Sequence, residues 1–236
     1  MTGMLASVNC LDEALIALQA GADIIDLKQP LLGALGALDI DTVTAIVKSI
    51  AKQQPVSATI GDLPMHPNTV SQATQAMAAT GVDYVKIGFF PNGDWQGTVD
   101  KLAVLTGSNC RLIAVLFADQ QPDFDWITTL ANAGFTGVML DTMDKGKGSL
   151  TSIMELQKIE YFVSQAKEHK LICGLAGSLS ITDIEILLPL CPDYLGFRGA
   201  LCQAGIRTSA LNQSAITTLK QTLLHSTHNN PVTAHA

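Results

Sequence analysis

Charged side chains recur at matched places in four related segments of the sequence. The segments open at Gly21, Gly81, Gly134 and Cys191. Counting five and seven residues on from these openings reaches five ionisable groups: Asp26, Lys28, Lys86, Asp141 and Arg198. Positions of equal parity on a β-strand face the same side of a sheet, so these groups would converge inside a closed barrel. One such charge could be a structural ion pair, but desolvating five together is costly enough to indicate a functional site.

Two lysines in one water-poor pocket favour Schiff-base chemistry. Burial and mutual repulsion lower lysine pKa values, and a neutral amine can attack a carbonyl carbon to form a Schiff base. We expect Lys28 to be the nucleophile and Lys86 the general acid or base, and the opposite assignment stays open. Asp26 shares a strand face with Lys28 and could hold or deprotonate its ammonium. Asp141 could move further protons.

Two glycine-containing turns are candidates for binding phosphate. Gly177 and Ser178 follow the seventh predicted strand and offer backbone N–H groups to an anion. Arg198 and Gly199 follow the eighth strand, where the guanidinium could bind phosphate oxygens in a bidentate manner. Closed barrels commonly bind phosphate at these two loops. Lys145 adds a cation in the loop after the sixth strand, unless that loop is simply solvated.

The elements that must position these residues alternate between strands and helices. Short apolar or β-branched runs predict eight strands: Met4–Val8, Asp23–Leu27, Val56–Ile60, Asp83–Ile87, Arg111–Phe117, Thr136–Leu140, Leu171–Leu175 and Tyr194–Phe197. Amphipathic runs predict helices, among them Leu11–Ala20, Asp39–Lys52, Val70–Thr80, Thr151–Lys170 and Asn212–His225. Eight such units without a linker predict an α/β fold, a single-domain (β/α)8 TIM barrel over residues 1–225. Residues 226–236 are predicted to be a disordered polar tail.

Composition narrows the functional classes. Hydrophobic residues make up 47% of the 236 residues and charged residues 15%, which allows a large core. The net charge of -7 argues against a nucleic-acid partner and against docking on an anionic membrane. Scattered cysteines without disulfide or zinc spacing, and no signal-peptide pattern, predict a cytoplasmic protein with reduced thiols. The histidines do not supply a ligand set, so neither a metal nor a cofactor is predicted.

Six motifs between residue 4 and about residue 207 point to a known family. They are Ala22–Pro30, Val56–Asp62, Asp83–Gly88, Met139–Thr142 with Lys145, Leu175–Ser178 and Leu195–Ala200. In order and spacing they resemble the (5-formylfuran-3-yl)methyl phosphate synthase family, also described as 4-(hydroxymethyl)-2-furancarboxaldehyde phosphate synthases. The segments Leu31–Gly33 and Gln203–Arg207 depart from the family pattern.

The resemblance implies a lyase that combines two molecules of glyceraldehyde 3-phosphate into a furan aldehyde phosphate for methanofuran biosynthesis, releasing phosphate and water. It also implies a TIM barrel, Schiff-base chemistry at Lys28 and proton transfer by Lys86. Supporting roles are implied for Asp26, Asp141 and Lys145. The partner is therefore expected to be a small phosphorylated substrate, and we also expect the chain to form a homo-oligomer.

Two other functions stay open from the residues alone. A class I aldolase or dehydratase acting on a single sugar phosphate would use Lys28 but need only one phosphate site. A non-catalytic barrel that binds a phosphorylated metabolite would give no borohydride-trapped adduct on any lysine.

Overall fold

Eight parallel strands close into a barrel. The computed structural model describes residues 1–106 and 111–229. Each strand pairs with the next along the chain, and the first pairs with the eighth to close the sheet. The strands are β1 Gly3–Val8, β2 Ile24–Leu27, β3 Val56–Thr59, β4 Tyr84–Gly88, β5 Arg111–Phe117, β6 Gly137–Asp141, β7 Ile172–Leu175 and β8 Tyr194–Phe197. The predicted single-domain (β/α)8 TIM barrel is confirmed.

Helices surround the barrel and join successive strands. They are α1 Leu11–Gln19, α2 Ile40–Ile50, α3 Pro67–Ala78, α4 Trp95–Ala103, α5 Trp126–Asn132, α6 Leu150–Ile153, α7 Leu156–Glu168, α8 Ile181–Leu187 and α9 Gln213–Asn229. Within the described ranges, none of them is both long enough and apolar enough to cross a membrane.

Two predicted helices differ most from the structure. The single helix predicted over Thr151–Lys170 is wrong, because Met154 and Glu155 have extended backbone with ψ angles of 136° and 139° and separate α6 from α7. The last helix continues to Asn229, which carries it four residues into the segment predicted as a tail. The rest of that predicted tail, residues 230–236, lies outside the described residues.

Acidic and hydroxyl side chains set where several helices begin. Asp39 precedes α2 and accepts a hydrogen bond from the backbone N–H of Thr42 at 2.8 Å. Before α8, Ser180 and Asp183 form a reciprocal capping box in which each side chain accepts a backbone N–H of the other residue. Such caps satisfy N–H groups that a helix leaves unpaired in its first turn. The capping box also holds the end of the loop that follows β7.

Alternating side chains on the strands separate two apolar clusters. On β2, Ile25 packs outward in the larger cluster between barrel and helices, whereas Ile24 faces the barrel interior in a smaller cluster. On β4, Val85 packs outward and Tyr84 inward in the same way. This is the period of two that a pleated strand imposes. Residues two and four positions beyond an inward-facing residue therefore reach the mouth of the barrel at the carboxyl ends of the strands.

Candidate active site

A cavity of about 450 Å³ opens at the carboxyl ends of the strands. Its lining includes every residue predicted for the site except Asp26. Asp26 lies just beneath the cavity, where it is fully buried and contacts the lining residues Ser7 and Lys86. The alternation of side chains along the strands therefore brings the predicted catalytic groups together at this cavity, as expected.

Asp26 forms an ion pair with Lys86. The Lys86 Nζ lies 2.9 Å from Asp26 Oδ1 and 3.0 Å from Oδ2. Ser7 on β1 and Ser57 on β3 stand level with Asp26 in the sheet register, and both hydroxyls donate to its carboxylate. Burial alone would raise the pKa of Asp26, but attraction to Lys86 and Lys28, together with the hydrogen bonds from Ser57 and Lys86, outweighs burial and lowers the pKa. Asp26 is thus an ionised anchor for Lys86.

Asp26 is bonded to Lys86 and not to Lys28, whose ammonium it could have held from the same strand face. Lys28 follows the end of β2, one inward position nearer the mouth than Asp26. At the deeper level, the carboxylate is already surrounded by two serine hydroxyls and by the ammonium of Lys86.

Lys28 is buried at the mouth of the barrel. Only 7% of the residue is exposed, and no hydrogen bond or ion pair of its Nζ is found among the described residues. Burial lowers the pKa of Lys28 from 10.5 to about 8, against attraction to Asp141 and Asp26 and with added repulsion from the two neighbouring lysines. A substantial neutral fraction near pH 8 gives the amine the nucleophilic form that attacks a carbonyl.

Asp141 and Lys145 form a second ion pair beside Lys28. Asp141 ends β6, and its Oδ1 accepts hydrogen bonds from Lys145 Nζ and from the backbone N–H of Thr142. Burial would raise the pKa of Asp141, but attraction to Lys145 and Lys28 outweighs it and lowers the pKa to about 2. The cavity and the layer just beneath it therefore hold two ionised carboxylates, each directly bonded to one lysine, and one lysine that is not bonded to either.

The guanidinium of Arg198 is occupied in a way that the sequence did not predict. It pairs with both carboxylate oxygens of Glu13 on α1. Its remaining hydrogen bonds go to the carbonyl oxygens of Ser7, Arg207 and Ser209. Since arginine has five N–H donors, this network leaves none for the bidentate phosphate contact expected of the side chain. That expectation is corrected: the side chain holds the loop after β8.

Glu13 is the residue that sequence reasoning missed in this network. It is only 6% exposed and lies on the buried face of α1 together with Ala14 and Ala17. A carboxylate on the apolar face of an amphipathic helix needs a buried partner. That pattern is a signal in the sequence that could have led to Arg198.

The backbone of both glycine-containing turns is open to an anion. Gly177 and Ser178 have positive φ angles of 109° and 49°, and a Cβ on Gly177 would come within 2.8 Å of Thr142. Among the described residues, no acceptor is found for the N–H groups of Gly177, Ser178 and Leu179 in the first turn. Successive free N–H groups in such conformations form an anion-binding concavity.

The turn after β8 also offers backbone N–H groups to an anion. The N–H groups of Gly199 and Ala200 also lack an acceptor within the described part of the chain, and both residues line the cavity. Backbone donors from the loops after β7 and β8 therefore meet at one cavity, which is where barrels commonly bind a phosphate.

Arg207 also lines the cavity, although no motif pointed to it. Its guanidinium donates one hydrogen bond, from Nη2 to the carbonyl oxygen of Gly33 at 3.0 Å. Within the described ranges, no group of three or more histidine, cysteine or acidic side chains is arranged to hold a metal ion.

Comparison with known proteins decides the family. A family model described as 4-HFC-P synthase matches residues 4–220. The chain belongs to the 4-HFC-P synthase family. A relative from Methylorubrum extorquens, named as a putative (5-formylfuran-3-yl)methyl phosphate synthase, is 44% identical over 90% of this chain and 88% of its own length. The (5-formylfuran-3-yl)methyl phosphate synthase of Methanothermobacter thermautotrophicus is 34% identical over 90% of this chain and 94% of its own.

Solved structures related to this member of the 4-HFC-P synthase family share its fold. The 3-hexulose-6-phosphate synthase of Salmonella typhimurium superposes with a TM-score of 0.67 at 17% identity, covering 95% of this chain and all of the other. Phosphoribosyl anthranilate isomerase of Thermus thermophilus gives 0.65 at 16% identity, with 95% and 99% covered. At such identities the likeness shows the barrel alone.

One carboxylate outside the cavity positions the loop that carries Lys145 in this 4-HFC-P synthase family member. Asp119, after β5, accepts the backbone N–H groups of Met143 and Asp144 at 2.7 and 2.9 Å. Asp119→Asn is expected to lower kcat about tenfold, because an amide can accept only one of these bonds and a charge-assisted hydrogen bond is worth roughly 1.5–3 kcal/mol. Steady-state kinetics check this, with exposed Asp123→Asn as the control. An unchanged kcat would refute a positioning role.

Proposed function

We propose that this member of the 4-HFC-P synthase family condenses two molecules of glyceraldehyde 3-phosphate into (5-formylfuran-3-yl)methyl phosphate, with release of phosphate and water, as a step of methanofuran biosynthesis. The observation that carries the proposal is Lys28. It is a buried amine with a pKa of about 8 and no direct partner in the described part of the chain, and it lies between two carboxylate–lysine pairs. The names of the relatives support the product.

In the proposed mechanism, the neutral amine of Lys28 attacks the aldehyde carbon of one triose phosphate. Loss of water gives a protonated Schiff base, which withdraws electrons from the neighbouring carbon. Removal of a proton from that carbon then gives an enamine, which expels the phosphate of the first molecule from the next carbon. That next carbon becomes the nucleophile and attacks the C2 carbonyl of the second molecule, whose aldehyde has isomerised to the ketone, and this bond creates the branch that carries the remaining phosphate. Ring closure and loss of water produce the aromatic furan, and hydrolysis of the Schiff base returns the amine.

The two ion pairs of the cavity suit the proton transfers. Lys86 is bonded to an ionised Asp26, and Lys145 to an ionised Asp141, so each pair combines an acid with a base. Such pairs can donate a proton to a leaving hydroxyl and accept one from carbon. We assign the transfers beside the Schiff base to Lys86 and assign support of later eliminations to Lys145. The free N–H groups at Gly177, Ser178 and Gly199 would bind one phosphate.

Incubation of the purified protein with glyceraldehyde 3-phosphate tests the function. The proposal expects a near-ultraviolet furan chromophore together with one inorganic phosphate for each furan formed. Reversible cleavage of a single sugar phosphate without a furan would favour an aldolase instead. Absence of any lysine adduct after borohydride treatment would indicate a barrel that only binds metabolites. Homo-oligomerisation and a cytoplasmic location stay predictions.

The rate of Schiff-base formation should rise with pH through about 8. The attacking amine must be neutral, and below its pKa of about 8 each drop of one pH unit reduces the neutral fraction about tenfold. Borohydride-quenched single-turnover trapping between pH 6 and pH 9 would measure the profile. A rate limited by an ordinary lysine would instead still rise roughly tenfold between pH 8 and pH 9, which would contradict the assignment.

A further inference from the structure

Arg207 is the one arginine or lysine of the cavity, besides Lys28, that is found without an ion-pair partner among the described residues. The other three cations are neutralised within the protein: Lys86 by Asp26, Lys145 by Asp141 and Arg198 by Glu13. Since Lys28 is reserved for the carbonyl carbon, Arg207 provides the remaining positive charge at the mouth that has no directly bonded carboxylate among the described residues, although Asp141 and Asp62 attract it from a distance. Such a charge facing a cavity is suited to an anionic ligand.

The backbone of Arg207 is held in place by the buried network below it. Arg198 Nε donates to the carbonyl oxygen of Arg207 at 2.7 Å, and Arg198 Nη2 donates to the carbonyl oxygen of Ser209 at 3.1 Å. Arg198 is itself fixed by its pair with Glu13. A loop anchored at Arg207 and again at Ser209 presents the side chain with less freedom than an ordinary surface loop, which lowers the entropic cost of binding.

The side chain reaches away from the turn after β7 that was assigned to the first phosphate. Arg207 Nη2 donates to the carbonyl oxygen of Gly33, in the loop that follows β2 and Lys28. The free N–H groups of Gly177 and Ser178 follow β7, and two strands of the closed barrel, β8 and β1, stand between β7 and β2. The guanidinium therefore lies on a different side of the mouth, and no acceptor within the described ranges is found for its other N–H groups.

We propose that Arg207 binds the phosphate group of the second triose phosphate, at a position separate from the backbone turn after β7. This inference rests on the proposed function, because only a reaction of two phosphorylated molecules needs two phosphate positions. The planar guanidinium matches phosphate oxygens in a bidentate manner, which a single ammonium cannot do. The buried Arg198 thus supports a phosphate-binding arginine rather than being one.

The substitutions Arg207→Gln and Arg207→Lys test the assignment. Glutamine removes the charge but keeps a donor for the carbonyl oxygen of Gly33, so a merely structural tie between the loops would survive. Lysine keeps the charge and loses the bidentate geometry. Arg111→Gln is the matched control, because Arg111 lies at the opposite end of the barrel and contacts Tyr84.

Two measurements decide the outcome. In equilibrium titration with inorganic phosphate, wild type and Arg111→Gln are expected to bind two equivalents and Arg207→Gln only one. In turnover, the half-saturating concentration of glyceraldehyde 3-phosphate should rise roughly 10- to 100-fold in Arg207→Gln, as expected for loss of a charge-assisted contact, and rise less in Arg207→Lys. Borohydride trapping of the first molecule on Lys28 should persist in Arg207→Gln.

Failure of the inference differs from failure of the proposed function. Two phosphates bound to Arg207→Gln, or loss of borohydride trapping together with turnover, would overturn the assignment to the second molecule while furan formation by wild type stood. A wild-type protein that forms no furan would overturn the proposed function, and the phosphate titration alone would then show whether Arg207 is an anion-binding residue.

Discussion

Lys28→Met is expected to abolish Schiff-base formation and lower furan formation by roughly 10⁴-fold or more, the order seen when a covalent nucleophile is removed. Methionine has nearly the shape of lysine without the amine, so the barrel should close as before. Borohydride trapping followed by peptide mapping measures the adduct, and the furan chromophore measures turnover. Lys48→Met, on the exposed face of α2, is the control and should retain both. An adduct that maps to Lys86 in wild type would contradict the role assigned to Lys28.

The same substitution is expected to stabilise the fold at neutral pH. Lys28 has a folded pKa of about 8 against an ordinary value of 10.5, so the folded state disfavours its charged form. Between pH 8 and 10.5 the unfolded chain holds a proton that the folded chain lacks, so wild-type stability rises with pH across that window. Below pH 8 the folded protein bears the full free-energy cost of burying the charged amine, about 3 kcal/mol. Lys28→Met removes it.

Urea unfolding at several pH values checks this expectation. The gain in unfolding free energy should be largest at and below pH 8, reaching up to about 3 kcal/mol, and should shrink towards pH 10. The control Lys48→Met should change stability by less than about 0.5 kcal/mol. A Lys28→Met protein that is less stable than wild type at pH 7 would show that burial of the charged amine does not destabilise the fold.

Asp26→Asn is expected to destabilise the barrel by about 3–5 kcal/mol, because it leaves the ammonium of Lys86 buried without a counter-charge. Both residues are almost fully buried, with side-chain exposures of 0% for Asp26 and 3% for Lys86. Lys86→Met should cost less, since the carboxylate of Asp26 keeps its hydrogen bonds from Ser7 and Ser57.

The double variant Asp26→Asn with Lys86→Met separates pairing from packing. It should be more stable than Asp26→Asn alone, because no unpaired charge is left in the barrel. Denaturant unfolding of wild type, both single variants and the double variant gives the coupling free energy of the pair. Additive effects of the two substitutions would mean that the ion pair does not couple these residues in solution.

Sequence periodicity determined which face each strand residue occupies. The repeat that opens at Gly21 and Gly81 was enough to place Asp26, Lys28 and Lys86 on the inner side of a barrel. The side of the sheet to which a side chain points depends only on the pleat of its own strand, which is a local property. Helix ends were less predictable: nothing in the pattern around Met154 signalled the extended backbone that divides α6 from α7.

Only the tertiary structure decided which charges pair. Asp26 bonds to Lys86, 60 residues away, rather than to Lys28 two positions on, and Arg198 bonds to Glu13 at a separation of 185 residues. The alternation of side chains along the strands brings these charges to the same end of the barrel. Which of them form ion pairs depends on how deep each residue lies in the barrel, on how far its side chain reaches and on which carboxylate oxygens already accept other hydrogen bonds. For the same reason the sequence does not single out Arg207, because its contact with Gly33 depends on how the loop after β8 lies against the loop after β2.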